Sequence, residues 1–172
     1  MVRRLGRKEA MEPVAIIKQN TMTAEELQAA YETGRRDFSR SHLLNISLHK
    51  AQLEDVNLSY AYLNRANLSK ANLERAFLNR ALLYAANIQQ ARLYRASLIE
   101  ANLEQANLSH TILNHANLCG ANLRNANLQD THLVWANLRG ANLTNANLKG
   151  ADLSGAKFLR TIMPDGSISH DD

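Results

Sequence analysis

Histidine and cysteine are frequent catalytic residues and metal ligands, and this chain has six histidines and one cysteine. The histidines are not spaced as zinc ligands are, and no glycine-rich loop is available to cradle a phosphate. Cys119 is the only cysteine, so it cannot form a disulfide within the chain, and a reducing compartment suits it. The sequence therefore predicts no catalytic residue, no metal site, no cofactor and a cytoplasmic location.

The elements that would have to position any site are five-residue repeats. Residues 41–160 divide into 24 pentads without insertion or deletion, and the clearest run, from Ala116 to Gly150, reads ANLCG ANLRN ANLQD THLVW ANLRG ANLTN ANLKG. The central residue of a pentad, here called i, is Leu in 22 of the 24, and residue i−2 is Ala in 19. A helix would spread these leucines around its axis, and a single strand would alternate them between its faces. They share one interior only if the chain turns in the same sense after every pentad, which predicts an all-β solenoid.

This pattern resembles the pentapeptide-repeat family, whose motif is A(D/N)LXX. The resemblance implies a right-handed quadrilateral β-helix of about six coils, with four pentads in each coil. Residues i−2 and i would then point inward, and a residue would lie over the one a coil later. His110 would stack on Asp130, and His115 would stand one coil from Trp135. We do not expect acid–base chemistry from these pairs, because a rod without insertions offers no cleft that excludes water.

A short helix is predicted ahead of the repeats, over residues 23–35. In the sequence TAEE, Thr23 is the N-cap and Glu26 the third helical residue, which together form a capping box. Gly34 supplies the left-handed residue that ends the helix. The segment resembles the entry of cyanobacterial pentapeptide-repeat proteins, which implies that this helix covers the open end of the first coil.

The remaining boundaries follow from composition and turn residues. Residues 1–22 carry a basic segment that we expect to be disordered, with no signal peptide pattern. The β-helix is predicted over residues 36–165, with Phe38 at position i of a degenerate first pentad. An acidic tail, residues 166–172, follows a turn at Pro164, Asp165 and Gly166. No apolar run approaches the roughly 20 residues of a membrane span.

Apolar side chains at outward positions are the candidate binding residues, because the other outward positions are mostly polar. Two groups are expected to contact an unidentified protein partner: Tyr60, Tyr62, Leu82 and Tyr84, with Leu44 nearby; and Tyr94, Ile112, His115, Val134 and Trp135. A third group closes the last coil, which no predicted helix covers, and suggests a weak homodimer through that end: Phe158, Leu159, Ile162 and Met163.

These features favour a non-enzymatic protein-interaction scaffold or regulatory binding protein. One alternative is a DNA mimic that interacts with gyrase, as some family members do. It is disfavoured because it needs an acidic surface and loop insertions, whereas the net charge is +4 and the repeats are uninterrupted. A second alternative is weak nucleic-acid binding through the basic N-terminal arm. It is a minority interpretation, since the basic residues of the repeats are spread over all sides.

Overall fold

A computed structural model describes residues 21–170 of the chain, so all but the last two residues of the predicted arm, 1–22, lie outside the described part. Within that part the one helix, α1, spans Ala24–Glu32. Its first turn has the capping box: the Thr23 hydroxyl accepts the N–H of Glu26 at 3.2 Å, and the Glu26 carboxylate accepts the N–H of Thr23 at 2.9 Å. These two bonds satisfy donors that a helix N-terminus otherwise leaves unpaired.

The C-terminal end of α1 is a Schellman motif. Gly34 has a φ of +98°, and its N–H donates to the Tyr31 carbonyl at 3.0 Å. The next N–H, of Arg35, reaches back to the Ala30 carbonyl, also at 3.0 Å. This pair of bonds forms when the first residue after the C-cap has a left-handed backbone, which a glycine adopts without strain.

After α1 the chain winds into a ladder of parallel β-bridges. Each bridge joins a residue to the one 20 positions later, from Asp37 with Asn57 to Asn142 with Ile162. The bridging residue is always i−1 of its pentad, so each side of a coil contributes one short extended segment that does not grow into a longer strand. Four pentads therefore complete one coil.

The backbone N–H groups that bond between coils do not point equally towards the two ends of the rod. In the pentad around Leu58, the N–H groups of Leu58 and Tyr60 donate to the following coil, at 2.7 and 2.9 Å, while the N–H of Asn57 donates to the preceding coil at 2.8 Å. The same pattern recurs in the pentads of the inner coils. Twice as many N–H groups therefore point towards the C-terminal end of the rod as towards its N-terminal end.

Each corner is a tight turn that contains a left-handed residue. The N–H of Ala51 donates to the Leu48 carbonyl at 3.1 Å, and the equivalent bond closes the following turns. Residue i+2, which lies within the turn, has a φ between +53° and +71° at every pentad from Arg40 to Arg160. This conformation is strained for a residue with a Cβ. The packed interior and the hydrogen-bonded ladder must therefore offset strain at each corner that lacks a glycine.

The interior consists of Leu at position i and mostly Ala at position i−2. From Leu48 to Leu143, every residue at position i is at most 1% exposed. Thr111 and Thr131 replace Ala and are also fully buried. Their hydroxyls donate to the carbonyls of Ile88 and Leu108, at 2.9 and 2.8 Å, so burial leaves no hydroxyl unpaired.

The frequent Asn at position i−1 is explained by two hydrogen bonds. The side-chain oxygen of Asn117 accepts the N–H of Cys119 at 3.1 Å, and it also accepts the amide of Asn137 from the next coil at 3.2 Å. The first bond satisfies the N–H of residue i+1, and the second joins neighbouring coils. The Asn columns are therefore a structural feature rather than a ligand site.

Helix α1 contacts the N-terminal end of the coils. Leu27 is fully buried within the core cluster, as is Phe38. The Tyr31 hydroxyl donates to the Glu54 carbonyl at 2.9 Å, and the Arg36 guanidinium lies 3.7 Å from the Tyr31 ring centroid. The folded part begins earlier than the predicted boundary, because Thr21 already forms a bridge with His42.

The C-terminal tail folds back along the last coil. After the turn at residues 164–166, Ile168 pairs with Ile162 in an antiparallel bridge. The carbonyls of Ser167 and Ser169 accept the N–H groups of Met163 and Arg160, both at 2.8 Å. As far as His170, the predicted acidic tail is thus part of the folded unit.

Candidate partner-binding surfaces

The first surface, here called the tyrosine patch, comprises the outward side chains of Leu44, Tyr60, Tyr62, Leu82 and Tyr84. Leu44 is 59% exposed, Tyr60 43% and Tyr62 42%, whereas Leu82 and Tyr84 are half-buried. The ladder brings Tyr62 and Leu82 together as bridge partners. Consecutive coils thus place aromatic and aliphatic groups side by side, as a protein-binding surface requires.

The rings of the tyrosine patch are covered by their own neighbours. The His42 ring stacks on Tyr62 with centroids 4.4 Å apart and an interplanar angle of 13°. Tyr60 lies between the guanidiniums of Arg40 and Arg80, at 5.6 and 5.8 Å from its centroid. The ladder stacks these side chains along the rod axis, so the rings present mainly edges and hydroxyls to solvent. Such rings cannot serve as stacking platforms for bases.

The second surface, here called the tryptophan patch, comprises Tyr94, Ile112, His115, Val134 and Trp135. Trp135 is 59% exposed and Ile112 37%, while Tyr94 and Val134 are half-buried. His115 meets Tyr94 edge to face at 5.6 Å, and among the described residues its ring does not stack on that of Trp135. The two residues therefore occupy equivalent positions one coil apart, as predicted, without forming a ring pair.

Trp135 lies against the last coil. A Cβ on Gly155 would come within 2.6 Å of the indole ring, so the ring rests on the bare backbone of this glycine. The tryptophan patch thus reaches the C-terminal end of the rod, and it is contiguous with the region of the predicted self-association residues. Of these, Leu159 is 40% exposed, while Phe158, Ile162 and Met163 are half-buried.

One exposed aromatic was missed from the sequence. Phe77 is 50% exposed at position i−1, where the neighbouring coils carry Asn57 and Ser97. The signal was available, because Phe occupies a position that is usually polar in this chain. Phe77 stands one coil from Asn57 and near the corner that carries Tyr60, so it extends the apolar surface beyond the tyrosine patch.

Ion pairs occupy the side of the rod that carries the tryptophan patch, in the coils nearer α1. Arg75 donates two hydrogen bonds to Asp55, both at 2.8 Å, and one to Glu54 at 3.3 Å. The bond from Arg75 lowers the pKa of Asp55 below its usual value. Arg92 pairs with Glu74 in the same way. These pairs are exposed to solvent, so each contributes little to stability.

The histidine pair considered for acid–base chemistry does not form a site. His110 Nδ1 lies 3.9 Å from an Asp130 carboxylate oxygen, and both side chains are about half exposed. Two depressions of about 420 and 290 Å³ lie near α1 and the first coil, and neither is lined by a histidine. Across residues 21–170, no group of three or more His, Cys, Asp or Glu side chains could hold a metal.

A family model of pentapeptide repeats matches the chain with eight copies, over residues 37–69, 61–98, 101–140 and 131–163. The chain belongs to the pentapeptide-repeat family. Pentapeptide-repeat proteins form right-handed quadrilateral β-helices and in general have binding or structural roles rather than enzymatic ones. No protein of curated function matches this chain in sequence.

Solved pentapeptide-repeat structures resemble the chain. Rfr23 from the cyanobacterium Cyanothece 51142 is 38% identical, covering 64% of this chain and 85% of its own, with a TM-score of 0.53. A thylakoid lumen protein of Arabidopsis thaliana, AT2G44920, is 30% identical, covering 60% and 69%, with a TM-score of 0.43. The fluoroquinolone resistance protein QnrB1 is 22% identical, covering 70% and 78%, with a TM-score of 0.29. No helix of the described residues is long and apolar enough to span a membrane.

Proposed function

We propose that this pentapeptide-repeat protein is a non-enzymatic scaffold that binds a protein partner along the side of its rod. In this proposal the rod has about six coils, capped by α1, and acts in the cytoplasm. The tyrosine patch supports the proposal most directly, because three of its apolar or aromatic side chains are 42–59% exposed on neighbouring coils. At the position of Tyr62, i−1, many later pentads carry Asn side chains that bond to one another.

The chemistry of the tyrosine patch suits an apolar partner surface with acidic groups around it. Arg40 and Arg65 are exposed beside the patch, and no carboxylate pairs with either. A partner that buried the aromatic edges would also bring its carboxylates near these guanidiniums. Aromatic residues and arginines are the residue types most often found at the energetic centre of protein interfaces.

The proposal is tested by comparing variants in affinity capture from native cytosol. Tyr60→Ser with Tyr62→Ser should lose a partner that the wild-type rod retains. Arg124→Ser with Thr144→Ser, on the same side in later coils, should retain it. The captured protein is then purified and titrated against all three rods. If all three rods recover the same proteins with equal affinity, the tyrosine patch is not the binding surface.

The two alternative functions have less support. QnrB1 shows only that the fold is shared, and DNA mimicry needs an acidic surface, whereas this chain carries a net charge of +4. Nucleic-acid binding through residues 1–20 concerns a segment outside the described range. A salt-dependent gel shift that is lost when these residues are deleted would support it.

A further inference from the structure

The C-terminal end of the rod has an excess of unpaired N–H donors. In the inner coils, two N–H groups and one carbonyl of each side face the following coil. Two sides of the last coil, residues 146–155, have no following coil among the described residues. Four of their N–H groups have no partner, and these belong to Leu148, Gly150, Leu153 and Gly155. Two carbonyls also have no partner, those of Ala146 and Ala151.

The tail shows what kind of chain fits this edge. Around the adjacent corner, between Arg160 and Met163, the extended tail supplies two carbonyls, from Ser167 and Ser169, and one N–H, from Ser169. This is the same ratio of acceptors to donors that the open sides require. The edge is therefore able to pair with an extended, antiparallel polypeptide, and one side of it already does so.

Two lysines and two carboxylates lie around the open sides. Lys149 and Lys157 are exposed and form no ion pair. The nearby carboxylates are Asp152, which accepts two hydrogen bonds from Ser154 at 2.6 and 3.1 Å, and Asp130, which lies one coil below Gly150. Aligned N–H groups attract negative charge, so the backbone and the lysines favour the same kind of ligand.

We propose that the open end, residues 146–155, binds an extended acidic segment of another protein by strand addition. The segment's carbonyls accept the free N–H groups, its carboxylates face Lys149 and Lys157, and its apolar side chains cover the half-buried Leu148 and Leu153. Two identical ends would present the same donor excess to each other, which argues against the homodimer expected from the sequence. This end-on site is separate from the lateral surface of the proposed function, so either can fail alone.

The chain carries its own reporter for this site. Trp135 is the only tryptophan, and its ring rests on Gly155, whose N–H is one of the free donors. A segment that pairs with this side must approach the indole. Trp135 emission and the amide signals of residues 146–155 in nuclear magnetic resonance spectra should therefore change together.

The test titrates the full chain with three probes: a blocked acidic pentapeptide of sequence TEVET, its basic counterpart TKVKT, and free glutamate at the same carboxylate concentration. We expect the acidic peptide to shift the amides of Leu148, Gly150, Leu153 and Gly155 and the Trp135 emission, with an affinity about tenfold above that of the basic peptide. Equal shifts with free glutamate would mean an anion site only and would overturn strand addition.

Charge reversal supplies the matched variants. Lys149→Glu with Lys157→Glu should weaken binding of the acidic peptide by about tenfold, whereas Lys70→Glu, on an inner coil, should leave it unchanged. Retained folding of each variant is checked by circular dichroism. The proposal would be overturned if all variants bound the acidic peptide with equal affinity. It would also be overturned if the protein alone dimerised and thereby protected the four amides.

Discussion

At the scale of single residues, burial decides which side chains carry stability. Leu108 is fully buried in an inner coil, so Leu108→Ala should leave a cavity and lower the free energy of unfolding by about 2–5 kcal/mol. Arg124 is exposed and its side chain forms no hydrogen bond or ion pair, so Arg124→Ala should cost less than about 0.5 kcal/mol. Urea unfolding measures both, and comparable midpoint losses would contradict the inward assignment of position i.

Two individual carboxylates are also expected to make the free energy of unfolding depend on pH. Hydrogen bonds from Ser154 and Ser167 lower the pKa values of Asp152 and Asp165 respectively. Because these pKa values lie below those of the unfolded chain, the bonds contribute their full stability above about pH 4 and lose it as the pH falls through the lowered values. Urea midpoints should therefore decrease between pH 5 and pH 3, and Asp165→Asn should show a shallower decrease. An identical slope in the variant would rule out a contribution from Asp165.

At the scale of elements, we propose that α1 caps the first coil and shields it from other chains. Its Leu27 is buried in the core cluster, and Tyr31 bonds to the Glu54 carbonyl. Deleting residues 1–34 should expose the first coil and cause edge-to-edge association, while the β-type circular dichroism persists. Thr23→Ala removes only the N-cap and should cost about 1 kcal/mol without association. A truncated protein that stays monodisperse at high concentration would show that α1 is not a cap.

At the scale of the whole molecule, the unequal direction of the hydrogen bonds distinguishes the two ends of the rod. The C-terminal end is donor-rich, so we expect a monomer in sedimentation experiments at micromolar concentration, with no change on Phe158→Asp. Phe158 is half-buried at this end. A dimer that Phe158→Asp dissociates, and Trp135→Ala does not, would restore the homodimer expected from the sequence.

Much of this structure could be predicted from the sequence because the repeat is strict. The pentad period separates inward from outward residues, since only regular turning buries Leu and Ala together, and TAEE with Gly34 specifies both ends of α1. The period also brought together the residues of each patch, including Tyr62 over Leu82. Phe77 was missed, although it occupies a position that is polar in most pentads.

Other features depend on the three-dimensional arrangement of backbone and side chains. Most residues at position i+2, such as Ala85 with a φ of +53°, have no sequence preference for a left-handed backbone and adopt it because the coil must turn there. Whether the Tyr60 and Tyr62 rings are open to a ligand depends on neighbours one coil away, Arg80 and His42, which cover their faces. The return of the tail and the donor excess at the last coil follow from the direction of backbone N–H groups. Side-chain identity does not encode this direction, so only the tertiary structure reveals the open end.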